Sequence, residues 1–168
     1  MDLFSHVAAS WIFAEKLPIT KKEKQVLIVG GILPDLDFFV GMFLYLFVDH
    51  DMGRNFHRGI MHTFFFGILY GLFLFFALKS VVRKRIFLSG FFGVGLHCLI
   101  DQIITYSFKY PKIFYPLSNT TFALNQIGTC PLVFVYIAMY VAVWLSAFIL
   151  YKKTSRTPLD VFRTNHSE

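Results

Sequence analysis

Seven histidine and aspartate residues lie in or beside the long apolar runs of this 168-residue chain. An ionisable group near the centre of a membrane helix costs at least ~2.5 kcal/mol, so a set of such groups indicates function. The four longest apolar runs contain no Lys, Arg or Glu that would balance the carboxylates. A divalent metal ion would supply that positive charge, and imidazole and carboxylate groups are suitable ligands for it. The candidate ligands are His6, Asp35, Asp37, His57, His62, His97 and Asp101.

The spacing of these residues is compatible with one shared site. His97 and Asp101 are four residues apart and would project from the same face of a helix. Pro34 should open the helix that contains it, so that Asp35 and Asp37 turn inward from irregular backbone. Such backbone is tolerated at membrane depth only where it lines a cavity. The sequence therefore predicts a polar cavity between helices.

His57, His62 and His6 would each reach the site for a different reason. His57 and His62 are five residues apart and lie on different faces of a regular helix, but Gly59 between them would let His57 fold back over His62. His6 lies roughly 15–18 Å deep if its segment enters the bundle, counting ~1.5 Å per helical residue. If that segment lies on the membrane surface instead, His6 cannot join the site. The deepest candidates lie toward the outer leaflet, which predicts a pocket that opens outward.

The composition places these residues in a membrane protein. The chain is 56% hydrophobic and only 15% charged, whereas an average soluble domain carries about 25% charge. Disordered, collagen-like, coiled-coil and disulfide-scaffold classes are excluded by the same numbers. Long unbroken apolar runs predict an all-α membrane fold. The net charge of +6 is then explained by basic loops near anionic lipid, and not by nucleic-acid binding.

The apolar runs predict about four transmembrane helices and a short N-terminal half-helix. Together they form a single integral-membrane domain over residues 1–151, followed by a polar, disordered cytoplasmic tail over residues 152–168. The half-helix and the four spans are Leu3–Leu17, Val26–Val48, Ile60–Leu78, Ile86–Tyr106 and Pro131–Tyr151.

The basic residues predict the orientation of these spans. Of the sixteen Lys and Arg residues, four precede the first span, four join the second to the third, and four follow the last. These twelve fall on one side of the membrane. The positive-inside rule then places both termini in the cytoplasm.

Several of these motifs resemble those of a known family, the membrane-bound metal-dependent hydrolases of the YdjM-like, LexA-regulated inner-membrane type. The resemblance runs in order from residue 6 to about residue 118. Met61 replaces the Thr expected before the second histidine of one motif, which leaves the ligand in place. The matching pieces are His6, Gly31 to Asp37, His57 to Thr63, His97 to Asp101 continuing to Thr105-Tyr106, and Tyr115 to Ser118.

The resemblance implies a location in the bacterial inner membrane and a hydrolytic activity. The family pattern is distantly similar to the zinc-dependent phospholipase C and single-strand nuclease helical proteins. Those proteins bind metal through His and Asp from several helices and hydrolyse phosphodiesters. By analogy, the leading hypothesis is a membrane-embedded hydrolase of a phosphate ester. A site within the bilayer meets lipid first, so a phospholipid is the expected substrate.

This hypothesis assigns a role to each candidate. One or two divalent ions, with Zn²⁺ as the first choice because of the imidazole-rich set, would activate water and polarise the phosphoryl oxygen. Arg58 would bind the substrate phosphate, and Asp37 or a metal-bound hydroxide would act as the base. His6, Asp37 and His57 are the less central ligands. The leading ligands are Asp35, His62, His97 and Asp101.

Two other classes of function fit the same residues. Buried Asp and His also form ion pathways, so the protein could transport or sense a divalent metal. Transporters often contain inverted repeats, and none is visible in this sequence. A non-catalytic membrane protein whose helices are joined by a structural metal is the third hypothesis.

Overall fold

The computed structural model describes residues 3–56, 59–78, 82–104, 112–120 and 132–163. Over these ranges the chain forms helices and contains no β-strand, which confirms the all-α prediction. The described ranges also contain three short 3-10 turns between or after the helices, at Leu33–Leu36, Ile60–His62 and Pro158–Val161. The α-helices are α1 (Leu3–Lys16), α2 (Lys21–Ile32), α3 (Asp37–Phe47), α4 (His50–Phe56), α5 (Phe64–Ala77), α6 (Arg83–Ile104) and α7 (Leu132–Thr154).

Helix α2 begins at a capping box and ends at a proline. The Thr20 side chain accepts a hydrogen bond from the Glu23 N–H, and the Glu23 carboxylate accepts one from the Thr20 N–H at 2.7 Å. The buried Glu23 also pairs with Arg85 at 3.0 Å, which joins the start of α2 to the start of α6. At the other end, Pro34 lacks an N–H and cannot continue the regular hydrogen-bond ladder. The helix narrows there into the 3-10 turn Leu33–Leu36, as the sequence predicts.

Helices α2 and α6 pack against each other at glycines. A methyl group added at Gly93 would lie 2.3 Å from the Leu27 carbonyl oxygen and 3.0 Å from the Gly30 Cα atom. Both neighbours are backbone atoms and cannot rotate away. Only glycine at this position allows the two helix backbones to approach so closely. Helix α5 packs on another face of α6, so α6 lies between α2 and α5.

Two helices in the described ranges are long and apolar enough to cross a membrane. They are Lys21–Phe47, taken through its 3-10 turn, with a mean hydropathy of 1.9, and Phe134–Thr154, with 2.0. This corrects the prediction of about four such helices. Helix α5 has 14 residues, about 21 Å, which is shorter than the ~30 Å hydrocarbon core. Helix α6 has 22 residues but is not one of the two candidate spans found among the described residues.

Helix α1 packs inside the bundle against α2, α6 and α7. Its residues Trp11 and Ala14 form a core with Leu27 and Ile28 of α2 and with Val161, which follows α7. The Gln25 side-chain amide donates to the Val161 carbonyl at 2.9 Å. The prediction of a disordered tail is therefore wrong for residues 155–163, because Val161 in this segment is buried in the core.

The close contact at Gly93 generates a prediction for stability. Gly93→Ala should lower the free energy of unfolding by roughly 1–3 kcal/mol, because the added methyl group forces α2 and α6 apart. Gly95→Ala is the matched control: its methyl group would meet the Phe64 ring at 3.5 Å, an ordinary contact. Thermal unfolding in detergent, followed by circular dichroism, measures both. Equal melting temperatures for the two variants would contradict the packing argument.

Candidate metal centre

Six of the seven predicted ligands lie together, and five segments of the chain deliver them. His6 comes from α1, and His97 and Asp101 come from one face of α6. Asp35 lies in the 3-10 turn before α3, and Asp37 is the first residue of α3. His62 ends the 3-10 turn before α5. All six are buried, and Asp35 is the most exposed at 9%. His57 and Arg58 lie outside the described residues.

Two carboxylates lie at the centre of this cluster, and three imidazoles surround them. The Nε2 atoms of the histidines are separated from the carboxylate oxygens of Asp35 and Asp101 by 3.2 to 3.9 Å. Two ligands of one tetrahedral zinc ion are roughly 3.3–3.6 Å apart, given metal–ligand bonds of about 2.0–2.2 Å, and the observed separations lie close to this range. The described ion pairs of the cluster each join a histidine to an aspartate. The separations therefore suit atoms that share a metal ion.

The orientation of His97 is determined by a backbone hydrogen bond. Its Nδ1 atom lies 2.9 Å from the carbonyl oxygen of Gly31, so Nδ1 carries the proton and donates it. The Nε2 atom of a neutral ring then presents a lone pair to Asp35 at 3.6 Å and to Asp101 at 3.7 Å. Three electron-rich atoms facing one another repel unless a cation or a proton lies between them. A backbone carbonyl behind a ligating histidine is a usual companion of metal sites.

His62 is oriented in a similar way by a side chain. Its Nδ1 atom contacts the Asp37 carboxylate at 3.2 Å, and its Nε2 atom faces Asp35 at 3.8 Å and Asp101 at 3.6 Å. Asp37 thus lies behind His62, on the side away from the central carboxylates. The structure brings Asp37 next to a candidate ligand, and the central donor set consists of the other five residues.

Two overlapping groups of three residues have donor atoms within 4.8 Å of one another. The first contains His6, Asp35 and His97, and the second contains His62, His97 and Asp101. The rings of His6 and His97 are stacked with centroids 3.8 Å apart, which keeps both groups on the same side of α6. These buried His and Asp side chains could hold a metal ion.

Sequence reasoning missed the Gly31 carbonyl, although a signal for it exists. The last four carbonyls of a helix lack partners within the helix. Because Pro34 predicts that α2 ends just before it, the Gly31 carbonyl was foreseeable as a free acceptor. Its pairing with His97, 66 residues away, depends on tertiary packing.

The geometry predicts which histidines control metal binding. Wild-type protein purified in detergent and equilibrated with Zn²⁺ should retain roughly one ion per chain, and His97→Ala should retain almost none. His50→Ala is the matched control, because His50 is exposed and stacks on Tyr45, away from the cluster. Elemental analysis after removal of free metal measures the content. Equal zinc content in the two variants would contradict the assignment.

Comparison with known proteins identifies the chain's family. The model of the YdjM inner membrane protein family matches residues 1–161. Comparisons with curated proteins and with solved structures give no match. The family match covers all six clustered residues and confirms the resemblance carried by the sequence motifs. With this family match and two helices apolar enough to span a bilayer, the chain belongs to the YdjM inner membrane protein family.

Proposed function

We propose that this protein is a membrane-embedded, metal-dependent hydrolase of a phosphate ester, with a phospholipid as its substrate. The observation that carries the proposal is the convergence of three imidazoles and two carboxylates, all buried, at separations of 3.2 to 3.9 Å. An imidazole-rich donor set favours Zn²⁺. The position of the cluster inside the helix bundle favours a substrate that arrives through the bilayer.

The donor atoms favour one ion over two. His97 belongs to both groups of three, and its Nδ1 atom is occupied by the Gly31 carbonyl. One ring nitrogen binds one ion, so His97 Nε2 joins both groups into a single centre. The five donors are more than the three protein ligands of a typical catalytic zinc ion. A zinc ion bound there would polarise the phosphoryl oxygen and lower the pKa of a bound water toward ~7.

Residues of the chain would perform the proton transfers. Asp35 is the most exposed member of the cluster, and its Oδ2 atom has no hydrogen-bond partner among the described residues. It is suited to accept a proton from the attacking water as the new P–O bond forms. That proton then passes to the alkoxide released when the ester P–O bond breaks. Arg58 would bind the phosphate in this proposal, as its position four residues before His62 suggests.

The membrane arrangement extends beyond the two helices that qualify by length and hydropathy. We propose that α5 and α6 also cross the bilayer, with both termini in the cytoplasm. Exposed aromatic side chains on these helices support lipid contact: Phe73 and Phe76 on α5 are 66% and 74% exposed, and Phe92 on α6 is 53% exposed. The basic residues at the start of α6 and at the end of α7 support the orientation.

A turnover assay tests the function. Zinc-loaded protein in detergent should hydrolyse at least one member of a panel of phospholipids and soluble phosphodiesters. His62→Ala and His97→Ala should each lower the rate by more than ~100-fold, since loss of a supporting residue alone costs ~10–100-fold. His50→Ala should retain the wild-type rate. A chelator should abolish the activity, and added zinc should restore it.

Two other outcomes would contradict the hydrolase proposal and support a different function. Zinc bound without turnover of any ester would indicate a structural metal, which the burial of the cluster would suit, since structural zinc sites are closed. Zinc flux across liposomes that requires His97 would indicate a transporter.

The position of Asp37 generates a separate prediction. We propose that Asp37 positions His62, in place of the base or ligand role that the sequence suggested. Asp37→Asn should weaken zinc binding by ~10–100-fold without abolishing it, as loss of a carboxylate behind a ligating histidine does elsewhere. Asp49→Asn is the control, because Asp49 lies near the exposed α3–α4 turn and accepts from the Met52 N–H. Competition with a chelator measures the affinities; an unchanged value for Asp37→Asn would contradict the positioning role.

A further inference from the structure

An apolar groove runs between α1 and α7 on the face of α1 that is turned away from the metal centre. Its volume is about 390 Å³. His6 and Ser10 lie on the opposite face of α1, where the Ser10 side chain packs against Gly31. The side chains that line this α1–α7 groove include Phe4, Val7, Trp11, Trp144, Phe148 and Tyr151.

A second cavity, lined by positively charged side chains, lies next to the groove. Arg156 lines both the groove and this second cavity, which has a volume of about 600 Å³. We call this cavity the basic pocket. Its charged lining residues are Lys21, Lys24, Arg156, Arg163, Glu15 and Asp160. The apolar groove and the basic pocket are therefore neighbours that share Arg156 in their linings.

Two of the four cations in the basic pocket are already paired. Lys24 pairs with Glu15 at 2.8 Å, and Arg163 pairs with Asp160 at 3.0 Å. Hydrogen bonds from the side chain and backbone of Thr157 hold the pKa of Asp160 below its usual value, so this carboxylate is ionised.

The other two cations remain available for an anion. Lys21 donates to the backbone carbonyl of Arg163, which does not neutralise its charge. The guanidinium group of Arg156 has no ion pair within the described part of the chain. With four cations and two carboxylates in its lining, the basic pocket carries a net charge of +2.

The groove fits within one leaflet of a membrane. Its lining on α7 extends from Trp144 to Tyr151, a rise of about 10 Å, whereas one leaflet is half of the ~30 Å hydrocarbon core. The end of α7 carries Lys152 and Lys153, and cations at a helix end mark the membrane surface. Tyr151 lies beside them, at the level where aromatic side chains meet headgroups. The apolar part of the groove thus lies at acyl-chain depth, and the basic pocket lies at headgroup depth.

We propose that the α1–α7 groove and the basic pocket together bind one anionic phospholipid. An acyl chain lies in the groove, and the headgroup phosphate lies in the basic pocket near Lys21 and Arg156. This lipid site is separate from the metal centre and does not depend on the proposed hydrolysis. It holds α1, which carries His6, against α7.

Tryptophan fluorescence can test this site directly. The chain contains two tryptophans, and both Trp11 and Trp144 line the groove. In a Trp144→Phe background, the remaining Trp11 is only 2% exposed, so ordinary bilayer lipid reaches it poorly. The full chain is reconstituted in phosphatidylcholine vesicles that contain either dibrominated phosphatidylglycerol or dibrominated phosphatidylcholine. Brominated phosphatidylglycerol should quench Trp11 at a several-fold lower mole fraction than brominated phosphatidylcholine.

Charge variants identify the headgroup contacts. Arg156→Gln and Lys21→Gln should each reduce the preference for phosphatidylglycerol, by about fivefold per cation removed. Lys153→Gln is the matched control, because it removes an equal charge from the same membrane surface outside the pocket. It should leave the preference unchanged.

Three results would overturn the proposal. Equal quenching by the two brominated lipids would show that the groove does not select a headgroup. An unchanged preference in Arg156→Gln and Lys21→Gln would show that the basic pocket does not bind the lipid. Absence of quenching by both lipids, with self-association of the chain in the vesicles, would show that a second copy covers the groove.

Discussion

The close contact of α2 with α6 at Gly30 and Gly93 determines where the groups of the candidate metal centre lie. His97 follows Gly93 by four residues and therefore projects from the same face of α6. That face meets the end of α2. There the Gly31 carbonyl oxygen has no partner within its helix and accepts a hydrogen bond from His97 Nδ1 at 2.9 Å. A side chain at position 93 would push the two helices apart. The hydrogen bond and the approach of His97 to Asp35 depend on this contact.

The second constraint is the cost of burying carboxylates in an apolar bundle. Asp35, Asp37 and Asp101 are all buried, and their described partners are histidines and not lysine or arginine. Each of the three imidazole rings has one nitrogen turned toward the central carboxylates. The other ring nitrogen contacts the Asp37 carboxylate in His62 and the Gly31 carbonyl in His97. This two-layered arrangement is what a neutral imidazole needs to present a defined lone pair. A cation bound between these carboxylates would stabilise their charge.

Helix α1 joins the two regions that we assign to ligands. One of its faces contributes His6 to the metal centre, where His6 Nε2 lies 3.2 Å from Asp101. The other face lines the α1–α7 groove. The Trp144 indole N–H donates to Ser5 at 3.2 Å and ties α7 to the residue beside His6. The segment after α7 then folds back, and Val161 completes the core around Trp11. A short helix that would be marginal alone is stabilised by packing on both sides.

The sequence alone predicted the all-α class, most of the helices and the six residues that cluster, but not helix α4. The scarcity of charge, the apolar runs and the break at Pro34 are local or compositional properties, so the sequence is sufficient to predict them. The i, i+4 spacing of His97 and Asp101 likewise predicted their common face. Of the four predicted spans, two are long and apolar enough within the described residues, and apolar composition alone does not reveal that α5 is only 14 residues long.

Tertiary structure decided which atoms of these residues face each other. The burial of His6, the position of Asp37 behind His62, the Gly31 carbonyl behind His97 and the docking of Val161 all join residues distant in sequence. Such contacts follow from the packing of helix faces, and the one-dimensional pattern does not specify that packing. The sequence determined which groups must leave water, and the fold determined how their charges and lone pairs are arranged.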